Sequence, residues 1–293
     1  MISFIKLGRL SAAVSAALAI TLTHLPVAHA HETTEAADAH SPSEESKTIR
    51  RHRMKKLEEH LNTDEETLHR QCRYESEIAE APPEKKLILT FDDGPEPGQT
   101  EYILSVLKKH NIPATFFMIG EKVQAHPELL ALVQASGHAL IGNHSWSHPN
   151  FHDIPPAEQA LEVDKTAAQL AKTVQAQYFR YPYGNSSCET NELLKSQGYK
   201  IVGWHVDTCD WAFDHKGSVD LKEALSCGVL PQNRENFFEH VISSVRAHNG
   251  GIILMHEIHP HTLKQLDSLV VRLLEEGYTF GTVSDAEFAK YLR

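Results

Sequence analysis

Beyond Pro83 the chain alternates between short apolar runs and segments in which apolar residues recur every three or four positions. The short runs read as buried strands and the periodic segments as amphipathic helices. Residues 87–91, 114–119, 139–142, 178–180, 200–206, 251–255 and 278–282 are the expected strands. Residues 100–110, 127–136, 156–174, 190–196, 236–248, 262–276 and 285–292 are the expected helices, the third opened by proline in its first turn. Seven strands alternating with helices predict an α/β fold with a mostly parallel sheet covered by helices. Periodicity alone does not decide whether that sheet closes into a barrel.

The first 83 residues have a different texture. Lys6 and Arg9 precede an Ala-, Leu- and Val-rich run over residues 11–22 and the small-residue triplet Ala28-His29-Ala30. That order predicts a secretory signal peptide over residues 1–30, its apolar run being shorter than the roughly 20 residues of a membrane span. Residues 31–46 are polar and predict a disordered linker. Residues 47–83 are charged but permit helix, with Met54, Leu57, Leu61, Leu68 and Ile78 as apolar anchors. Thr63-Asp64-Glu65-Glu66 fits a capping box there, so a short helical extension is expected before a domain spanning 84–293. Export to the periplasm or beyond makes cysteine pairing plausible. Cys72, Cys188, Cys209 and Cys227 allow three connectivities, of which Cys209–Cys227, both in one expected long loop, is favoured. The net charge of −11 argues against nucleic acid and anionic membrane surfaces as partners, and no stable membrane insertion is expected once the signal is removed.

The chemically suggestive residues gather where expected strands end, which is where α/β folds bind ligands. The first strand runs into Asp92-Asp93-Gly94-Pro95. Because successive strand side chains face opposite ways, the two aspartates are expected to meet different surroundings, one holding a metal and the other moving a proton. His144-Ser145-Trp146-Ser147-His148 follows the third strand with two imidazoles four residues apart. Two histidines and a carboxylate form a common catalytic zinc set, which makes Asp93, His144 and His148 the expected metal ligands. Arg180-Tyr181-Pro182-Tyr183-Gly184 ends the fourth strand with a base that can pair with a carboxylate and a turn that can aim a backbone N–H at an oxyanion. Asp207-Thr208-Cys209-Asp210-Trp211 and Leu254-Met255-His256 close two further strands. His256 is suited to proton donation near neutral pH.

These five segments, in this order, resemble the motifs of the NodB-type polysaccharide deacetylases, carbohydrate esterase family 4. The resemblance covers about residues 85–293 and implies a distorted (β/α) barrel of about seven parallel strands. It implies Asp92 as general base, with Asp93, His144 and His148 binding a divalent cation, usually Zn2+, with Co2+, Ni2+ or Mn2+ as alternatives. Arg180 resembles the partner that holds the base, Tyr183 the donor of an oxyanion N–H, and His256 the general acid. Asp210 resembles the residue that orients His256, while Trp211 and Leu254 resemble walls of an acetyl pocket.

The activity implied is hydrolysis of N-acetyl groups on amino sugars of a polysaccharide substrate, peptidoglycan or a chitin-like chain. O-acetyl ester hydrolysis on xylan or another glycan is the nearest alternative. A catalytically silent glycan-binding protein is an alternative of another class, opposed by the complete set of base, ligands and acid. A structural partner role for the extension is a further one. Residues 212–236 are expected to overhang the substrate groove, and Glu257, His259 and His261 to form a polar, solvent-facing rim.

Overall fold

The computed structural model describes residues 78–293; the expected signal peptide, the linker, most of the helical extension and Cys72 lie outside the described residues. Strand β1 (Lys86–Gly94) is followed by α1 (Gln99–His110), β2 (Ala114–Met118), α2 (Gly120–Ala125), α3 (Pro127–Ala135) and β3 (Ala139–Asn143). Then come α4 (Pro156–Leu170), β4 (Tyr178–Phe179), α5 (Cys188–Ser196), β5 (Lys200–Ile201), β6 (Val206–Asp207), α6 (Asp210–Lys216) and α7 (Leu221–Cys227). The chain closes with α8 (Phe237–His248), β7 (Gly251–His256), α9 (Pro260–Leu263), α10 (Leu266–Glu275), β8 (Thr279–Gly281) and a 3-10 turn over Ala286–Tyr291.

All strand pairings are parallel, in the order β5-β4-β3-β2-β1-β7-β6, with β8 against the start of β1. The expected strand at 200–206 is two short strands at opposite edges of the sheet. Between them the backbone crosses from one edge to the other, Val202 N–H donating to Phe179 O (2.9 Å) and His205 N–H to Ile252 O (2.8 Å). The crossing curls the sheet into a distorted barrel. A regular strand cannot serve both edges, which is why one apolar run becomes two pieces.

Alternation along β1 sorts the core. Leu87, Leu89 and Phe91 pack outward with the apolar faces of α1, α8 and α10, whereas Ile88 packs inside with Phe117, Val202, Trp204 and Leu254. Two-residue periodicity therefore sends Thr90 and Asp92 inward with Ile88, and both are buried. The described end of the extension docks here too. Ile78 N–H donates to Trp204 O (2.8 Å), and Tyr291 Oη donates to Ala81 O (2.6 Å).

Residues 212–236, expected as one long loop, carry the end of α6 and all of α7, and Val219, Ala224, Cys227 and Val229 are part of the outer core. Asp220 caps α7, accepting from Glu223 N–H (2.9 Å) while Glu223 accepts from Asp220 N–H (2.7 Å). Cys209 and Cys227 are joined by a disulfide, Cα to Cα 5.7 Å, as the shared loop suggested.

Candidate active site

The two aspartates reach one mouth because β1 does not stay regular. Its register against β2 slips between Asp92 and Gly94, and Asp93 lies in the left-handed region at φ 68°. Such a bulge re-aims a side chain. Both carboxylates therefore face one mouth while keeping different neighbours: Asp92 Oδ2 lies 3.7 Å and Asp93 Oδ1 3.4 Å from the same atom, His144 Nε2.

His144 follows β3 and is buried. Its Nδ1 is 2.7 Å from Arg180 O. A carbonyl only accepts, so Nδ1 carries the hydrogen and Nε2 turns its lone pair toward Asp93. His148 Nε2 lies 3.2 Å from the same Asp93 oxygen. Burial and the His144 imidazole pull the His148 pKa down to about 4, which keeps it unprotonated near neutrality. Asp93 Oδ1 has no hydrogen-bond partner. Lone pairs on two imidazoles directed at an unpartnered buried carboxylate oxygen fit a cation between them, and the donor set suits zinc.

Arg180 is wholly buried and spends its guanidinium on the inner wall. Nη1 donates to Asp92 Oδ1 (2.8 Å) and Thr90 Oγ1 (2.6 Å), Nε to Val202 O (3.1 Å) and Nη2 to Gly203 O (3.0 Å). The last two carbonyls belong to the crossing segment, where no neighbouring strand supplies an N–H. Phe117 lies under the guanidinium at 4.3 Å, a cation–π contact. The guanidinium thus directs Asp92 and seals the barrel's gap at once.

On the other side of β1, Asp92 and His256 are register partners in β1 and β7, which places them about 5 Å apart along the sheet. Asp210, fully buried at the start of α6, accepts from His256 N–H at 2.7 Å through Oδ2 and faces His256 Nδ1 at 2.8 Å through Oδ1. Burial pulls the His256 pKa down, but the Asp210 charge and hydrogen bond outweigh it and push it up to about 10. His256 is therefore an imidazolium at neutral pH, with Nε2 left for a transferable proton. Asp210, His256 and His259 also cluster closely enough to suggest a second cation site. Asp210 already uses both oxygens on His256 and Trp211 N–H, so this cluster is a proton-holding pair rather than a ligand set.

Tyr183 is 65 % exposed, its backbone left-handed at φ 58°, with its ring edge-on to His148 at 4.7 Å. Trp211 is half-buried against the outer core, and Leu254 is buried in the inner one. All ten expected residues thus sit at the carboxyl end of the barrel or line it.

Glu257 departs from its expected place on a solvent-facing rim. It is fully buried beneath the aspartate turn, its N–H donating to Asp92 O (2.9 Å) and its Oε2 accepting from Thr100 Oγ1 (2.5 Å), while Oε1 has no partner. It occupies the space a side chain at Gly94 would need, so the glycine there makes room for it. His261, by contrast, is exposed, and His259 is half-buried near Asp214 at 3.6 Å. Burial pushes the Glu257 pKa up to about 8. The folded chain therefore keeps a proton that the unfolded chain releases above its ordinary value near 4.5, and stability falls as pH rises from there through 8. Glu257→Gln removes that slope. The variant is expected to gain thermal stability over the parent at pH 8 but not at pH 4.5; an equal difference at both would show the carboxyl ionised when folded.

Residues 79–202 match the model of the polysaccharide deacetylase family. The chain is 32% identical to the peptidoglycan-N-acetylmuramic acid deacetylase PdaA of Bacillus subtilis, over 72% of this chain and 74% of that one. The chain belongs to the polysaccharide deacetylase family. Another member, the peptidoglycan-N-acetylglucosamine deacetylase PgdA of Listeria monocytogenes, is 34% identical over 71% of this chain but only 40% of its own length. This deacetylase-family chain thus spans about two fifths of that relative. Among solved structures, the Bc1960 peptidoglycan N-acetylglucosamine deacetylase superposes with a TM-score of 0.56 at 29% identity, covering 68% of this chain and 86% of that one.

Proposed function

We propose that this family member is a metal-dependent hydrolase that removes N-acetyl groups from amino sugars of peptidoglycan. The observation that carries the reading is the convergence of Asp93, His144 and His148 on one point, flanked by a carboxylate fixed by Arg180 and an imidazolium fixed by Asp210. The peptidoglycan preference rests on the named activities of the relatives.

A divalent cation, zinc by its donor set, would be held by Asp93 Oδ1 and the Nε2 atoms of His144 and His148, and when bound supplies Lewis acidity to the acetyl carbonyl and to water. Asp92, fixed in direction by Arg180, takes a proton from the attacking water as its oxygen adds to the acetyl carbon. The Tyr183 N–H donates to the developing oxyanion. The carbon–nitrogen bond then breaks as His256 gives its Nε2 proton to the departing amine, and Asp210 keeps the ring oriented throughout. Acetate and a free amino sugar are the products. Trp211 and Leu254 are assigned to the walls around the acetyl methyl.

Export by a signal peptide over residues 1–30 and a catalytic domain over 84–293 complete the reading and match a cell-wall substrate. No helix among the described residues is long and apolar enough to cross a membrane. The test is acetate release by the purified chain from peptidoglycan, chitin oligomers and acetylated xylan, with and without chelator and added zinc. Chelator-sensitive release from peptidoglycan is expected; preferential release from xylan would move the assignment to an O-acetyl esterase, and release indifferent to chelator would remove the metal from it.

A further inference from the structure

The loop that carries both metal-site histidines cannot hold its shape by local geometry alone. Ser145 and His148 both have left-handed backbones, at φ 67° and 60°, a conformation that costs a non-glycine residue free energy. Some outside contact must compensate for it. The neighbours supply part of it. Asn143 Oδ1 accepts from Ser145 N–H (2.9 Å), and Ser145 Oγ accepts from His148 N–H (3.1 Å). The start of α2 adds two bonds, Gly120 N–H to Ser145 O (3.0 Å) and Glu121 N–H to Trp146 O (3.1 Å).

The middle of the loop has one anchor of a different kind. Glu162, on α4, places a carboxylate under Trp146 and Ser147. Its Oε2 accepts from both Trp146 N–H (2.8 Å) and Ser147 N–H (2.7 Å), and its Oε1 accepts from Ser147 Oγ (2.9 Å). Charge-assisted bonds to backbone N–H groups are stronger than neutral ones. Three of them on consecutive residues between His144 and His148 fix the separation and direction of the two imidazoles. The helix bearing Glu162 is itself tied to the strand before the loop, because Asn143 Nδ2 donates to Val163 O (3.1 Å). Strand, loop and helix form one frame.

We infer that Glu162 is a positioning residue for the metal centre: its carboxylate presets the spacing of His144 and His148 before any cation arrives. The inference rests on the metal-binding reading above and adds a residue outside the five motifs. Partners that orient ligands without touching the metal typically change affinity by about 10–100-fold when lost.

Zinc affinity of the metal-free chain, measured by calorimetry, tests this without reference to activity. Glu162→Ala is expected to weaken zinc binding by about 10–100-fold. Glu162→Gln keeps an oxygen for the two amides and an amide that can donate to Ser147 Oγ, and is expected to recover most of the loss. Leu161→Ala, at a neighbouring position that is 53% exposed, is the control and should bind as the parent does. Should the alanine variant fail to fold, Glu162→Asp decides, since it keeps the charge but withdraws it by about one carbon–carbon bond of roughly 1.5 Å. Weaker zinc binding supports the inference. Zinc binding within threefold of the parent, with only the melting temperature lowered, would reduce Glu162 to a tie between loop and helix. A parent chain that binds no zinc would overturn the metal-binding reading as well, whereas a parent that binds and variants that bind equally overturn this inference alone.

Discussion

Asp92→Asn is expected to lower kcat by about 10²–10⁴-fold, the usual contribution of a positioned base, and to leave zinc affinity nearly unchanged. Asp92 is held by Arg180 Nη1 at 2.8 Å, and an asparagine oxygen can take that bond while offering no site for water's proton. His144→Ala is expected to fail differently. It removes one of the three candidate ligands and leaves the Arg180 carbonyl without its donor, so both metal content and turnover should be lost. Metal analysis and acetate-release kinetics on the two proteins separate the roles. If both variants kept zinc and turned over, the division of labour between the two aspartates would be wrong.

Arg180→Met is expected to destabilise the fold by about 3–5 kcal/mol, the cost of removing one partner from a buried charge pair, besides abolishing activity. The substitution strips the cation from Asp92, which is only 2% exposed, and leaves the Val202 and Gly203 carbonyls without donors. Arg180→Lys should recover little, because one ammonium cannot reach the acceptors that the planar fork spans. Urea unfolding of the three proteins measures this. A loss below about 1 kcal/mol, the range of a surface pair, would mean that the crossing segment is held by its backbone contacts alone.

The two expectations share a structural cause. Asp92 lies on the inner face of β1 only because the strand alternates up to that point, and Asp93 joins it only because the strand then bulges. One aspartate inherits the strand's pattern and the other breaks it. That difference separates a carboxylate fixed by a buried arginine from one left facing two imidazole lone pairs.

Much of the site was legible as residue types at strand ends. Strand periodicity placed Asp92, His144, Arg180 and His256 at one end of a parallel sheet, because loops at the carboxyl ends of such strands converge whatever the details of packing. The Cys209–Cys227 pair was legible for a similar reason, both residues falling in one connection. Glu162 carried no signal of its own. It sits in an expected helix, in a polar position like several others, and only folding brings it beneath the histidine loop.

Chain-local chemistry therefore determined the alternating strands and helices, the residues offered at the strand ends, and the five-motif resemblance that the family match bears out. Tertiary structure decided what local pattern does not encode. It split the run at residues 200–206 between two sheet edges, bulged β1 at Asp93, and drew Glu257 from an expected rim into a space kept open by Gly94. Side-chain periodicity records which face of an element is apolar. Which element closes a barrel, and which polar group fills the gap, depends on contacts between residues far apart in sequence.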